Sequence, residues 1–428
     1  MNAVEYGILR DEGPVVENEI RPGDLDQLRP LPRISVHAFC ETENMYRLME
    51  KLAQDRRMAK VSFRINQGTT EAAVNMFSGA PTPNLILLET SAEPGAMMDE
   101  LAPLADVCDP TTKVVIVGRY NDIPLYRDLI RNGISEYMVS PISLVDVIAA
   151  ISAIFVDPDA EPLGRSIAFI GAKGGVGSST IAHNIAWGVS SLFSSEVILA
   201  DLDFPFGTAN IDFDQDPAQG IAEAVYSPER LDEVFLDRLL TKCSEHLSLL
   251  AAPSVLDRAY DFDRAAFQPV LEILQRAAPV SVLDVPHAWS DWTRTLLADV
   301  DEVVVTAAPD LANLRNAKNM FDQLRKLRPN DRPPHLVLNQ VGLPKRPEIA
   351  VADFCEPLEI EPIAVIPFDA SLFGSAANSG RMIGEMDGKS PVAEVMSQIA
   401  HVVTGRVSVK KAKKSALGSI LGKLTAKK

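Results

Sequence analysis

The chain has 428 residues, 46% of them hydrophobic and 23% charged, a balance typical of a folded protein with more than one core. Its formal net charge of −17 at pH 7 argues against nucleic-acid binding as its main activity, because a phosphate backbone would be repelled. The four scattered cysteines form no C-x-x-C pair and the acidic first residues form no secretory signal, so we expect a cytoplasmic protein with reduced thiols.

The first 156 residues are predicted to form a leader followed by an α/β domain. Residues 1–32 are acidic and interrupted by prolines, which predicts a flexible leader. Residues 33–156 alternate between short apolar runs and helix-like stretches. The predicted strands are 34–39, 61–65, 85–88, 114–117 and 137–139, and the predicted helices are 45–54, 70–77, 95–104, 125–132 and 143–154. Five strand and helix pairs predict a doubly wound parallel sheet.

This first domain resembles a response-regulator receiver. Such a domain places an acidic pair after its first strand, a phosphorylatable Asp after its third, a Ser or Thr after its fourth, and a Lys before Pro after its fifth. The residues at these positions here are Cys40 and Glu41, then Glu89, then Gly118, then Ser140 before Pro141. Because glutamate cannot accept phosphate as aspartate does, the resemblance implies a pseudo-receiver that binds partners or dimerises, rather than a phosphorylated switch.

A second α/β domain follows a short linker. Residues 157–165 are rich in Pro, Asp and Gly, and the second domain is predicted to span 166–405. Its predicted strands are 167–171, 196–200, 247–251, 280–283, 302–307, 335–339 and 363–366, with helices between them. The fold class is therefore α/β, with two doubly wound domains in succession.

Residues 406–428 form a basic tail. From residue 400 to the end there are eight basic and no acidic residues, and four apolar residues between 417 and 424 follow a helical period. The tail is either an amphipathic anchor for a membrane or partner, or a solvated basic segment. The most apolar continuous stretch, 144–156, is too short to cross a bilayer, which takes about 20 residues.

The second domain opens with a strand, a glycine-rich turn and a helix-like segment. Glycines allow successive backbone N–H groups to face an anion, and the following helix N-terminus adds partial positive charge, so the order predicts a nucleotide site. The predicted phosphate-binding residues are Lys173, Gly174, Gly175, Val176, Gly177, Ser178, Ser179 and Thr180.

The loop lacks the lysine that usually follows its last glycine. Ser178 stands there, while Lys173 is retained earlier in the loop. The sequence KGGVGSST thus resembles the deviant phosphate loop of the MinD/ParA ATPases with one of two lysines missing. In that family the earlier lysine reaches the phosphates of the partner subunit in a sandwich dimer. The resemblance implies that ATP binds, that binding stabilises a homodimer, and that hydrolysis is weak or lost.

Four further segments match the same family in order. Asp201 and Asp203 end the second strand, and Asp284 ends a buried-looking strand before a proline. The resemblance implies that Asp203, with Lys173, is catalytic, and that Ser179, Asp201 and Asp284 hold Mg²⁺, partly through water. Downstream, Asn339 and Pro367 match the adenine-binding segments, and an amide can both donate to and accept from the base edge. The six histidines show no metal-ligand spacing.

The order of a degenerate receiver and a MinD/ParA-like domain resembles the TadZ/CpaE family of Flp (Tad) type IV pilus assembly over residues 33–405. This implies a cytoplasmic factor at a cell pole or the inner membrane face that recruits a pilus secretion ATPase or polar landmark proteins, with no specific nucleic acid. A cycling ATPase that positions cargo or chromosomes, and a scaffold without nucleotide, remain the alternatives.

Overall fold

The computed structural model describes residues 31–156, 163–253, 255–256 and 259–406. They divide into two compact units. The first contains the described residues up to 156 and the segment Asp322–Pro333, and the second contains Leu163–Phe321 and the described residues from Pro334 onward. The predicted leader lies outside the described residues up to position 30, as do most of the predicted linker and, beyond residue 406, the predicted tail.

Unit 1 is the predicted doubly wound sheet. Its strands are β1 Ser35–Cys40, β2 Ser62–Gln67, β3 Leu85–Glu89, β4 Lys113–Gly118 and β5 Glu136–Val139. Its helices are α1 Glu43–Ala53, α2 Thr70–Phe77, α3 Pro94–Val107, α4 Ile123–Arg131 and α5 Leu144–Phe155. The strands pair in the order β2-β1-β3-β4-β5, all parallel. This confirms the predicted receiver-like α/β fold.

Alternating side chains of the central strand fill two cores. In β3, Leu85 and Leu87 join one buried cluster and Ile86 and Leu88 join the other. A strand that is buried on both faces reads as a continuous apolar run, which is why this strand was recognisable from sequence. Leu31 is also buried, and its N–H donates to the Arg57 carbonyl, so unit 1 begins before the predicted boundary at residue 33.

Glu89, at the position of a receiver's phosphorylatable aspartate, is occupied by hydrogen bonds inside unit 1. Its Oε2 accepts from the N–H groups of Glu41 and Thr42, both at 2.8 Å. Its Oε1 accepts from the Thr42 hydroxyl at 2.7 Å. The carboxylate therefore holds the loop from β1 to α1 in place, which is a structural role for the side chain.

Replacing Glu89 with alanine is expected to lower the free energy of unfolding by about 2 kcal/mol. The change leaves three donors around a partly buried site without their charged acceptor. Glu89→Gln retains one amide oxygen and should lose less. Urea denaturation of both variants measures this, and an alanine variant as stable as the original chain would contradict the role.

Gly118 replaces the hydroxyl residue of a receiver because the space is filled. A methyl group added at Gly118 would overlap the hydroxyl of Tyr137. That hydroxyl donates to the Tyr120 carbonyl at 2.9 Å. The tyrosine ring thus takes the room that a serine or threonine side chain would need.

The segment Asp322–Pro333 belongs to unit 1 and carries a buried acidic residue. Asp331 accepts from Arg56 Nε at 2.9 Å and from Arg57 Nη2 at 3.1 Å. Burial alone would raise the pKa of Asp331, but the charges of the arginines around it lower it. No local pattern predicts this assignment, because the partners lie 274 and 275 residues apart along the chain.

Unit 2 is the larger sheet. Its strands are β6 Arg165–Gly171, β7 Val197–Asp201, β8 Thr241–Lys242, β9 Leu247–Leu250, β10 Val280–Val285, β11 Glu302–Ala307, β12 His335–Val341 and β13 Ala364–Pro367. Its helices include α6 Ser178–Phe193, α7 Ala209–Asp212, α8 Ile221–Tyr226, α9 Glu233–Leu239, α10 Gln268–Ala277 and α11 Asp291–Asp299. The later helices are α12 Leu311–Leu327, whose end lies in unit 1, then α13 Val351–Cys355, α14 Ala370–Asn378, α15 Ile383–Asp387 and α16 Pro391–Val403.

The strand order of unit 2 determines which loops meet at the candidate site. It runs β13-β12-β11-β6-β10-β7-β9-β8, and all pairs are parallel except the short edge pair β8 with β9. All seven predicted strands are present within a few residues, whereas the two-residue β8 was not predicted. The loops after β6, β7, β10, β12 and β13 all leave the same edge of the sheet, where α/β proteins bind ligands.

Among the described helices, none combines the length and apolarity that crossing a membrane requires.

A partly buried ion-pair cluster joins three neighbouring strands of this sheet, β6, β11 and β12. Glu302 is paired with Arg165, and its Oε2 lies 3.0 Å from Nε2 of His335. Burial alone would raise the pKa of Glu302, but His335 and Arg165 overcome it and lower the pKa. A carboxyl group whose pKa is lowered on folding contributes stability above its unfolded pKa and loses it as the pH falls.

The free energy of unfolding is therefore expected to fall as the pH is lowered from about 5 to about 3, and to fall less in Glu302→Gln. At neutral pH the variant should be less stable by about 2 kcal/mol, because a buried pair loses one partner. Denaturant unfolding across this pH range measures both. Glu196→Gln, which removes an exposed partner of His246, is the matched control and should change little.

Candidate nucleotide-binding site

The glycine-rich loop connects the end of β6 at Gly171 to the first residue of α6, Ser178. Gly175 and Gly177 have φ angles of 80° and 85°, in the left-handed region that glycine adopts without strain. A methyl group at Gly177 would also lie 2.6 Å from Nδ2 of Asn339. The glycine spacing recognised in the sequence therefore reflects both the backbone angle and the lack of room.

Side chains from other segments donate hydrogen bonds to the loop's carbonyl groups. Four carbonyls accept hydrogen bonds of 2.8 or 2.9 Å: Gly171 from His287 Nδ1, Ala172 from Asn316 Nδ2, Gly175 from Gln340 Nε2 and Val176 from Asn339 Nδ2. In contrast, no described residue accepts from the N–H groups of residues 173–177. The loop therefore offers donors while most of its acceptors are already paired, which favours binding of an anion.

A cleft of about 500 Å³ opens over this loop. It is lined by Gly171, Lys173, Gly174, Gly175, Val176, Gly177, Ser178, Ser179, Thr180, Asp203, Val285, Pro286, His287, Asn339, Gln340, Phe368 and Phe373. All eight predicted phosphate-loop residues, together with Asp203 and Asn339, are in this set. Pro367 is not; its neighbour Phe368 lines the cleft instead.

The two residues that distinguish this loop have different surroundings. The Oγ atom of Ser178 is buried, and no described group pairs with it. Lys173 is exposed at the cleft, and its charge reaches Asp310. Burial would raise the pKa of Asp310, but hydrogen bonds from Asn313 and the charge of Lys173 lower it.

The acidic residues after β7 hold their own loop. Asp201 is buried, and its two carboxylate oxygens accept from the N–H groups of Asp203 and Ala209 at 3.0 and 3.1 Å. Burial, with the charge of Asp284, raises the pKa of Asp201. Asp203 is half-buried, and its pKa is also raised, mainly by burial. Of the two, Asp203 faces the cleft.

Asp284, the predicted end-of-strand carboxylate, lies beside a histidine that the sequence did not single out. Its Oδ2 is 3.3 Å from Nε2 of His183, and its buried Oδ1 has no described hydrogen-bond partner. His183 Nδ1 lies 2.7 Å from Oδ2 of Asp212. Burial would lower the pKa of His183, but Asp212 and Asp284 raise it well above its usual value.

The residues present fit a nucleotide with Mg²⁺. Ser178 Oγ and Asp284 Oδ1 are buried polar atoms without described partners, and the loop N–H groups are free of described acceptors. Oxygen donors of Ser179, Asp201 and Asp284 are of the type that Mg²⁺ prefers. Asp201 and Asp284 are not among the residues that line the cleft, so contact through water is the arrangement they suit.

The comparisons identify the family. The N-terminal part is similar to a pilus assembly protein CpaE from Caulobacter crescentus CB15, with 44% identity over 30% of this chain and 98% of that chain, at a TM-score of 0.29. A CpaE2 pilus assembly protein from Sinorhizobium meliloti 1021 is 33% identical over 28% of this chain and 99% of its own, at a TM-score of 0.28. The chain belongs to the CpaE family.

This CpaE family member also has the fold of a ParA-type ATPase. A ParA family ATPase from Chlorobium tepidum TLS is similar over 56% of this chain and 98% of its own, with 21% identity and a TM-score of 0.50. No protein-family model and no curated protein matches the chain. The predicted combination of a receiver-like sheet with a MinD/ParA-like sheet is confirmed.

Several residues of the site were missed from sequence. His287 and Gln340 lie close in sequence to Asp284 and Asn339, so proximity to predicted residues was an available signal. His183 follows Ser179 by four residues on α6, and such residues share one face of a helix. That spacing was the signal that could have placed His183 beneath the loop.

Proposed function

We propose that this chain is an ATP-binding localisation and assembly factor for Flp/Tad-type pili. In this proposal a nucleotide-dependent homodimer recruits pilus secretion machinery to the cell pole or the inner membrane face. The two similar CpaE proteins are pilus assembly proteins, which supports the cellular role. The observation that supports the nucleotide role is the phosphate loop: four of its carbonyls accept side-chain hydrogen bonds, and the N–H groups of residues 173–177 have no described acceptor.

In this proposal, different residues of the site interact with the phosphates, the metal ion and the attacking water. The loop N–H groups and the start of α6 meet phosphate oxygens, and Lys173 supplies charge across the dimer. Ser179, Asp201 and Asp284 would hold Mg²⁺, partly through water, and the ion would supply charge neutralisation at the phosphates. Asp203, at the cleft, orients the attacking water. Because Ser178 carries no charge, transition-state stabilisation is reduced and hydrolysis is weak or lost.

Exposed apolar side chains on segments beside the cleft support dimer formation. Phe206 follows Asp203 by three residues and is 68% exposed, and Trp289 follows His287 by two and is 42% exposed. Leu311, at the start of α12, is 73% exposed. Large apolar side chains that are exposed to water near a site favour burial in an interface with a second copy of the chain.

Titration with a fluorescent ATP analogue and Mg²⁺ tests the proposal. We expect saturable binding below millimolar nucleotide, a monomer-to-dimer shift in light scattering, and slow phosphate release. Absence of binding at millimolar nucleotide would leave a scaffold, and rapid turnover without a partner would indicate a cycling ATPase.

Localisation separates the same possibilities in cells. If nucleotide controls recruitment, Lys173→Ala and Asp203→Ala should each disperse a fluorescent fusion from its polar focus. A scaffold that uses no nucleotide should keep its focus in both variants. Deleting residues 410–428 tests the tail. If the tail is an anchor, the deletion should disperse the polar focus, and if it is a solvated segment, the focus should remain.

A further inference from the structure

A second cavity of unit 2 lies beside the nucleotide cleft. Its volume is about 380 Å³, and ligand pockets commonly measure about 300 to 1,000 Å³. Asp203 and Pro286 line both cavities, so the two share a wall. No step of the proposed function uses this second space.

Aromatic side chains form much of the wall of this cavity. The four that line it are Phe204, Tyr260, Phe262 and Trp292. Phe204 and Trp292 are buried, whereas Tyr260 and Phe262 are half-buried, so the cavity leads from the surface to the core. The ring planes of Phe204 and Tyr260 meet at 54°, and those of Phe262 and Trp292 at 89°. Rings at such angles do not stack flat on one another, an arrangement that suits contact of several ring faces with one ligand.

The charged residues of the cavity are all acidic. Asp203 and Asp261 line it, and none of its described lining residues is a lysine, an arginine or a histidine. An occupant that displaces water from these carboxylates must replace their hydration, which a neutral apolar group cannot do and an anion would oppose. A positive charge is attracted both by carboxylates and by the faces of aromatic rings. The lining therefore favours a cation with an apolar body.

We propose that this cavity binds an organic cation, namely an ammonium group that carries alkyl substituents. The alkyl groups contact the four aromatic side chains, and the charge lies near Asp261 and Asp203. Two sources can supply this chemistry: a free alkylammonium compound, or a lysine side chain of residues 410–428, which lie outside the described residues. The inference does not rest on the proposed function, because it needs neither nucleotide nor Mg²⁺.

The test titrates the full chain, without nucleotide, with choline and with dimethylbutanol, its uncharged analogue in which carbon replaces nitrogen. Isothermal titration calorimetry measures both affinities. We expect choline to occupy a single site and to bind about tenfold more tightly than the alcohol, because the two differ in charge and hardly in shape. Tyr260→Leu should weaken choline binding about fivefold, and Asp261→Asn about threefold.

Two variants are matched controls for these substitutions. Tyr226→Leu changes an exposed tyrosine whose ring contacts Phe262 but which does not line the cavity. Asp263→Asn removes an exposed carboxylate two residues after Asp261 that does not line the cavity either. Both variants should bind choline as the original chain does.

A tail variant distinguishes the two sources of the cation. It is the full chain with Lys→Gln at positions 410, 411, 413, 414, 423, 427 and 428. If a tail lysine occupies the cavity, it competes with every other ligand, so this variant should bind both choline and the uncharged alcohol more tightly. Unchanged affinity for the alcohol would assign the cavity to a free cation.

The outcomes that overturn the site are distinct. They are equal affinities for choline and the alcohol, no saturable binding of choline in the millimolar range, or unchanged affinity in both Tyr260→Leu and Asp261→Asn. If Tyr260→Leu fails to fold, as seen by circular dichroism, Asp261→Asn and the uncharged alcohol decide. Choline binding without ATP binding would leave this inference standing while the proposed function falls, and ATP binding without choline binding would do the opposite.

Discussion

Ser178→Lys is expected to tighten ATP binding by about ten- to one-hundredfold. A hydrogen bond to a charged group contributes about 1.5 to 3 kcal/mol, and the loop at present offers the phosphates no cation at this position. The Ser178 Oγ is buried at the start of α6 without a described partner, so the substituted side chain begins where phosphate would lie. Titration with a fluorescent ATP analogue in the presence of Mg²⁺ measures the change.

The matched control for this prediction is Ser178→Met. Methionine is long and unbranched but uncharged, so it fills the same space without attracting phosphate. Its affinity for the nucleotide should not exceed that of the original chain. Equal affinities of the lysine and methionine variants would contradict the view that the missing cation limits this site.

Gly177→Ala is expected to weaken nucleotide binding about tenfold or more. Alanine in the left-handed conformation costs about 1 to 2 kcal/mol, and its methyl group would lie 2.6 Å from Nδ2 of Asn339. That amide already donates to the Val176 carbonyl, so moving it away would free an acceptor within the loop. The same nucleotide titration, with thermal unfolding in parallel, measures the effect.

Gly188→Ala, within the helix α6 that follows the loop, provides the control. A methyl group there meets nothing within 4 Å, and alanine favours helix over glycine by about 1 kcal/mol. This variant should bind nucleotide normally and unfold at a slightly higher temperature. Normal nucleotide binding by Gly177→Ala would show that the loop geometry is not needed for the site.

Much of the fold was predictable because its signals are local. The apolar run of β3 and the glycine turn before α6 are each visible within a window of a few residues. The deviations at Glu89 and Gly118 were also visible, but their reasons were not. Only the packed unit shows that Glu89 holds the β1–α1 loop and that Tyr137 fills the space at Gly118.

The candidate site was predictable only in part. Ser179, Asp203 and Asn339 were found because they stand at strand or helix ends in a recognisable order. Searching the histidines for ligand spacing along the chain could not find the cluster of His183, Asp201 and Asp284, because its members come from three separate elements. His183 was hidden within an apolar helix, where a histidine resembles any other core residue.

By itself, the sequence determined two doubly wound units and a phosphate loop without its second lysine, since strand period, helix period and glycine turns act between neighbours in the chain. Tertiary structure alone decided which side chains occupy the loop's carbonyls, because those donors lie 116 to 165 residues downstream. It also decided that His183 faces Asp284 and that Asp322–Pro333 belongs to the first unit. The physical reason is that these contacts depend on the order and register of strands, which no short stretch of sequence encodes.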